Sequence, residues 1–146
     1  MQETKAFDAT VIAFDFGTRR VGVALGNTLT RSARPLATID ARDETARWRA
    51  IANVIAEWQP AQLVVGLPTH ADGTPHDMTE RAQRFARDLG QRFGRPVALV
   101  DERHTSEIAK TELRAAGRGS RDERALRDQA AARLILEAWL NERHEA

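Results

Sequence analysis

The stretch VIAFDF, residues 11–16, sets Asp15 inside an apolar run that reads as a buried strand. A carboxylate in an apolar interior costs roughly several kcal/mol unless something compensates it. The stretch DQAAARLILEAWL, 128–140, repeats the pattern on a helix. Ala131, Ala132, Ile135, Leu136 and Trp139 form an apolar stripe, and Asp128 heads the same face. A third acidic position, Asp101-Glu102, ends the apolar run PVALV, 96–100. Carboxylates converging from three elements repel one another and need protons or cations. Oxygen ligands without cysteine suit a hard divalent ion, Mg²⁺ or Mn²⁺. Two such ions bridging a phosphate activate the attacking water and stabilise the departing oxygen, so the chemistry is phosphodiester hydrolysis.

Taken singly, each acid has a plainer explanation. Asp15 could be hydrogen-bonded to a turn, Asp128 could be a charge at a helix N-terminus stabilised by the dipole, and Asp101-Glu102 could be a solvated strand end. Their conjunction is what points to a metal-dependent site.

The elements that position them follow from pattern. Residues 11–17 and 20–26 read as a hairpin around Thr18-Arg19, with Gly17, Gly22 and Gly26 permitting tight turns and close backbone approach. A third strand is expected over 34–39. The segment ETARWRAIANVIAEW, 44–58, has helical spacing at Ile51, Val54, Ile55 and Trp58 and stops before Pro60. QLVVGLP, 62–68, is a short buried strand, and 69–77 reads as a loop. A second helix carries Met78, Ala82, Phe85, Leu89 and Phe93 on one stripe, with Gly94 as its C-terminal cap. After the strand at 96–100, a third helix is expected over about 105–116, a mobile stretch over 117–124 and a last helix over roughly 124–143. This order predicts an α/β fold, a mixed sheet with an antiparallel start and parallel additions, covered by helices. The strand at 11–16 and the strand at 97–102 are expected to be neighbours. Ligands in such sheets collect at the carboxyl ends of the parallel strands, where 66–74 and 101–106 emerge.

Composition bounds the rest. The chain of 146 residues suits a single domain spanning 1–146, and 29% charged against 42% hydrophobic residues is the balance of a globular protein. There are no cysteines, which excludes disulfides and thiolate metal sites and makes a reducing cytoplasm the simplest location. No segment has the pattern of a signal peptide or a membrane span. Net charge is only +1, yet 20 of the 22 basic residues are arginine, whose planar fork suits phosphate and carboxylate alike. A GC-rich genome would give the same bias. Arg114, Arg118, Arg121, Arg124 and Arg127 crowd the approach to Asp128 and could grip phosphates without reading sequence. A solvated loop is the plain alternative.

The motifs AFDFGTRRVGVALGN (13–27), VVGLPTHADGT (64–74), DERHTS (101–106) and DQAAARLIL (128–136) resemble those of the YqgF/RuvX family. These are the pre-16S ribosomal RNA nucleases, also called Holliday-junction-resolvase-like proteins. The likeness runs from about Ile12 to Leu140. The first motif alone is weak, because Asp-x-Gly-Thr also opens sugar kinases and actin-like ATPases; all four at these spacings are specific. The resemblance implies a ribonuclease H-like fold with a mixed five-stranded sheet. It also implies that Asp15, Glu102 and Asp128 are metal-binding catalytic acids, with Asp101 in a supporting position. Gly66 would let a phosphate backbone approach, and Arg103 would contact phosphate or pair with a nearby acid. The chain departs from the family at Thr69-His70, where Leu-Asn or a similar pair is usual after Gly-Leu-Pro, and at His104, where Leu is usual. Both departures bear on specificity. His104 could assist proton transfer near neutral pH or be an incidental surface histidine.

The expected function is therefore metal-dependent nuclease activity on structured RNA, maturing the 5′ end of the small-subunit ribosomal RNA precursor in ribosome biogenesis. The nearest rival is resolution of four-way DNA junctions, which wants two active sites and hence a symmetric dimer. The helices at 78–93 and 105–116 show no surplus apolar face, which favours a monomer or weak homodimer. A non-catalytic RNA-binding assembly factor would have no need of converging carboxylates. An ATPase lobe would need a second lobe, for which 146 residues leave no room.

Overall fold

The computed structural model describes residues 9–68, 77–102 and 121–145. The expected helix at 105–116 lies outside them. Five strands form one sheet: β1 (Thr10–Phe16), β2 (Arg20–Asn27), β3 (Ser32–Asp40), β4 (Gln62–Leu67) and β5 (Val97–Asp101). Helix α1 (Glu44–Trp58) precedes β4, α2 (Asp77–Phe93) precedes β5, and α3 (Arg121–Glu145) closes the chain. The strand order is β3-β2-β1-β4-β5, with β1-β2 and β2-β3 antiparallel and β1-β4 and β4-β5 parallel.

The expected contact between β1 and β5 is therefore absent, because β4 lies between them. The α1 crossover brings β4 in beside β1, and the α2 crossover then adds β5 at the outer edge. Helix α3 spans β1 to β5, so distance along the sheet does not separate the acids. A second correction concerns 121–124, which begin the last helix instead of preceding it as a mobile stretch. Arginine and glutamate there are good helix formers, and the glycines stop at Gly119.

Local signals explain the boundaries. Asp43 caps α1 by accepting a hydrogen bond from the Ala46 amide at 3.1 Å. The helix ends at Gln59, which takes a left-handed conformation just before Pro60. Gly94 likewise follows α2 with φ +63°. The Thr79 hydroxyl donates to the Pro68 carbonyl, tying the first turn of α2 to the end of β4.

Period-two alternation splits the core into two layers. Ile12, Phe14, Val21, Val23, Leu25, Leu63 and Val65 face α1 and α2, where Trp48, Ile51, Phe85 and Leu89 meet them. The Phe85 ring lies 4.9 Å from Phe16, 5.4 Å from Trp48 and 5.8 Å from Phe14, centroid to centroid. Val11, Ala13, Ala24, Val64 and Val100 face the other way and are covered by α3 through Ala132, Ile135, Leu136, Trp139 and Leu140. On β2 the side chains toward α3 are Gly22, Ala24 and Gly26, all small, whereas those toward α1 and α2 are large. Helix α3 can thus lie against the sheet backbone. Among the described residues, no helix is long and apolar enough to cross a membrane.

Candidate active site

Asp15 lies two positions beyond Ala13 on β1 and so shares the face that α3 covers. Its cross-strand partner is Gly22. A Cβ at Gly22 would stand 1.9 Å from the Asp128 carbonyl oxygen, so only glycine lets the backbone of α3 reach the sheet there. Asp15 and Asp128 are thereby brought beside one another by a missing side chain. Gly66 does similar service on β4, since a Cβ there would meet Ile135 Cδ1 at 2.4 Å and Glu102 Cγ at 3.5 Å.

Glu102 directly follows β5. Val100, two residues before it, belongs to the α3-side core, and the alternation carries Glu102 to that same side. Asp101 pairs in register with Leu67, which packs with the α1–α2 layer, so it belongs to the opposite side. The strand-end acid that Asp15 senses is accordingly Glu102. Burial, then Glu102, then Asp128 push the Asp15 carboxyl well above the usual carboxylate range, while Arg127 pulls it back.

Asp128 is 7% exposed and held by arginine. Its Oδ2 accepts from Arg20 Nε at 2.5 Å, and its Oδ1 lies 3.7 Å from Arg127 Nη2. The first turns of α3 are also tied to the sheet by the Thr38 hydroxyl, which donates to the Ala125 carbonyl at 2.6 Å. A recess of about 280 Å³ opens over Asp15 and Asp128, walled by the turn at Gly17-Thr18 and by Arg19, Arg20 and Arg127. Glu102 acts on Asp15 electrostatically without lining this recess.

The donor set fits a hard divalent cation. Three carboxylates supply oxygen, and a cation would relieve the repulsion that adds to burial in raising the Asp15 carboxyl. The cage is not assembled in advance, however. Among the described residues no three His, Cys, Asp or Glu side chains are grouped closely enough to hold a metal ion. Arg20 stands against the Asp128 oxygen that a cation would need.

Of the expected phosphate contacts, Arg127 stands beside the acids, and Arg124 lines an adjoining recess. Arg121 contributes helical backbone only, its side chain lying outside the described residues, as do Arg103, His104 and Arg118 together with the Thr69-His70 departure. Arg127, expected to crowd the approach to Asp128, reaches that carboxylate with its long side chain. Sequence reasoning missed Arg20. The signal was the Arg19-Arg20 doublet entering β2, five residues after Asp15 on a hairpin whose register brings Arg20 near the same end of the sheet.

A family described as "RuvX: Holliday junction resolvase" matches residues 9–142. A protein of Dechloromonas aromatica, provisionally named a pre-16S rRNA nuclease, is 53% identical over 135 residues, which cover 92% of each chain. One of Burkholderia multivorans with the same provisional name is 49% identical over 142 residues, covering 97% of this chain and 95% of that one. Among solved structures, Thermus thermophilus RuvC in complex with Holliday junction substrate superposes with a TM-score of 0.57 at 16% identity, over 94% of this chain and 96% of that one. The yeast mitochondrial Holliday junction resolvase Ydc2 gives 0.57 at 10% identity, over 95% and 80%. At such identities the structural likeness shows the fold, the ribonuclease H-like architecture of RuvC-type resolvases.

Proposed function

The chain belongs to the RuvX family, and from that membership we propose that it is an endonuclease hydrolysing phosphodiester bonds in structured nucleic acid, at the 5′ end of the 16S ribosomal RNA precursor. The names of relatives at about half identity over nearly the whole chain support the substrate. The observation that carries the chemistry is the recess lined by Asp15 and Asp128, where desolvation and the charges of Glu102 and Asp128 raise the half-buried Asp15 carboxyl.

Asp15, Glu102 and Asp128 are the residues that would hold Mg²⁺ or Mn²⁺. Bound there, the ion supplies an activated water and neutralises charge on the departing oxygen. The chain's own groups do the rest. Arg20 fixes the Asp128 carboxylate through their ion pair, and Arg127 offers a cation to the phosphate beside Asp15. Gly66, expected to admit a phosphate, instead serves the packing of α3 on β4, because Ile135 fills the space beside it. Asp101 supports the strand end from the other side, and Arg103, Arg118, Arg121 and Arg124 extend the grip on phosphates. His104 is an auxiliary proton carrier. The enzyme works as a single domain in the cytoplasm, as a monomer or weak homodimer.

Junction resolution is the second reading, favoured by the description of the family and by the RuvC-like fold. Both are tested by presenting the protein with precursor ribosomal RNA and a four-way DNA junction side by side, in Mg²⁺ and then in Mn²⁺. Cleavage of the RNA at its 5′ end, abolished by Asp15→Asn, is the expected result. Cleavage of the junction alone transfers the reading to recombination. Equal cutting by the Asp15→Asn protein removes the catalytic assignment, and binding of RNA without any cutting turns the chain into an assembly factor.

A further inference from the structure

Beside the acids, a second and larger recess of about 490 Å³ is lined by Arg19, Arg20, Thr38, Asp40, Arg42 and Arg124, among others. We infer that this arginine recess is a second binding site for the phosphodiester backbone, taking a phosphate that neighbours the one cleaved. The inference rests on the nuclease reading and adds to it a subsite, with Arg19 and Arg42 as residues that grip substrate.

Its lining carries four guanidinium groups and one carboxylate. Arg42 is aimed by that carboxylate, its Nε at 3.1 Å from Asp40 Oδ1 and its Nη2 at 2.6 Å from Oδ2. The Arg42 amide also donates to Asp40 Oδ1, so the turn after β3 is fixed along with the side chain. Arg20 spends Nε on Asp128, and its terminal nitrogens make no other ion pair among the described residues. The floor is rigid: Thr38 bonds the Ala125 carbonyl of α3, and the Ala41 amide bonds the Arg19 carbonyl at 2.8 Å. The excess of positive charge is therefore presented by ordered backbone from β2, β3 and α3, which suits an anion whose shape recurs at every nucleotide.

Position separates this recess from the catalytic one. Arg19 and Arg20 line both, so the two adjoin, but the second recess contains neither Asp15 nor Asp128. A strand lying with one phosphate over the acids runs an adjacent phosphate along Arg19 into the Arg42–Arg124 end.

The test uses the full chain carrying Asp15→Asn, which binds without cutting, and follows the anisotropy of two labelled probes, an RNA hairpin with a single-stranded 5′ extension and a four-way DNA junction. Arg42→Gln and Arg124→Gln are each expected to lower affinity at moderate salt and to reduce the slope of log K against log salt by about one. The pair together should lose on the order of tenfold or more. Arg42→Lys should keep the slope, because the charge remains. Arg34→Gln, at the end of β3 away from Asp40 and beside Trp58, should change nothing. Thermal melts confirm that each variant folds; should Arg42→Gln not fold, Arg19→Gln reads the same recess from the turn. A loss on the RNA alone or on the junction alone assigns the subsite to that substrate. An unchanged slope in folded Arg42→Gln and Arg124→Gln overturns the recess while leaving the nuclease reading intact. A reduced slope in a protein that cuts neither substrate keeps the recess and overturns the nuclease.

Discussion

Replacing Gly22 by alanine puts the packing of α3 on trial. The new Cβ would sit 1.9 Å from the Asp128 carbonyl oxygen and 2.5 Å from its carbonyl carbon. Both are backbone atoms, so no side-chain rotation relieves the contact. Helix and sheet must part by roughly 1 Å to reach the 3.0 Å that Cβ atoms keep. Overpacking of this kind costs about 1–3 kcal/mol, which for a domain of this size lowers the melting temperature by about 3–10 °C. The shift also carries Asp128 away from Asp15, and a misplacement of about 1 Å can cost about 100-fold in rate. The assay pairs calorimetry with single-turnover cleavage at saturating Mn²⁺. The expected pattern is a loss of kcat larger than the loss of stability explains, since most of the protein remains folded at 25 °C. The control is Gly90→Ala inside α2, where the Cβ meets Val97 Cγ2 at 3.3 Å and the Arg95 carbonyl oxygen at an ordinary 3.6 Å. Helix propensity there favours alanine by up to about 1 kcal/mol. A Gly22→Ala protein that melts and cuts like wild type refutes the close approach as the device that assembles the site.

Other expectations concern charge and core. Asp15→Asn should raise the melting temperature of the chelator-treated protein at neutral pH while abolishing cleavage, because it removes a carboxylate that folding makes harder to ionise. The sign can be followed with pH. Since the folded state keeps the Asp15 proton that the unfolded state loses near 3.8, the stability of wild type minus that of Asp15→Asn should fall as pH rises from about 4 toward the raised value. Melting curves across pH 4–8 read this difference, and a rising difference contradicts it. Arg20→Gln should weaken the cation-free fold by about 1–3 kcal/mol, the worth of a charged hydrogen bond, yet tighten Mn²⁺ binding measured by calorimetry, because Asp128 Oδ2 is released. Phe85→Ala, which strips the ring between Phe16 and Trp48, should cost about 3–5 kcal/mol in denaturant unfolding.

Elements that depend on local pattern were legible in the sequence. The β1–β2 hairpin, the span of α1 and the stripe of α2 follow from spacing, capping and proline. Asp128 also heads the buried face of its helix as its heptad spacing requires. What escaped was non-local. Strand order is decided by where each crossover helix lands, so nothing in the residues of β4 announces that it enters between β1 and β5. The choice between Asp101 and Glu102 did not follow from composition; it became physical only once Val100 was seen on the α3 side. The arginine recess draws on a turn, a strand end and a helix that are far apart in the chain. The alternation in Val21-Gly22-Val23-Ala24-Leu25-Gly26 did contain a usable signal: large residues every second place, with small ones between, describe a strand with a helix pressed against its bare side.

Helix α3 is at once the carrier of Asp128 and, among the described residues, the cover of one sheet face, anchored chiefly by Ile135, Leu136, Trp139 and Leu140. From Asp128 to Leu140 is about 18 Å of rod at the rise of an α-helix. The helix is in this sense a rod held in two ways: polar bonds from Arg20 and Thr38 aim its catalytic end, and apolar contact seats its distal end. Loss of the Trp139 contact should therefore loosen the far end of the rod first, while the bonds from Arg20 and Thr38 hold Asp128 near Asp15.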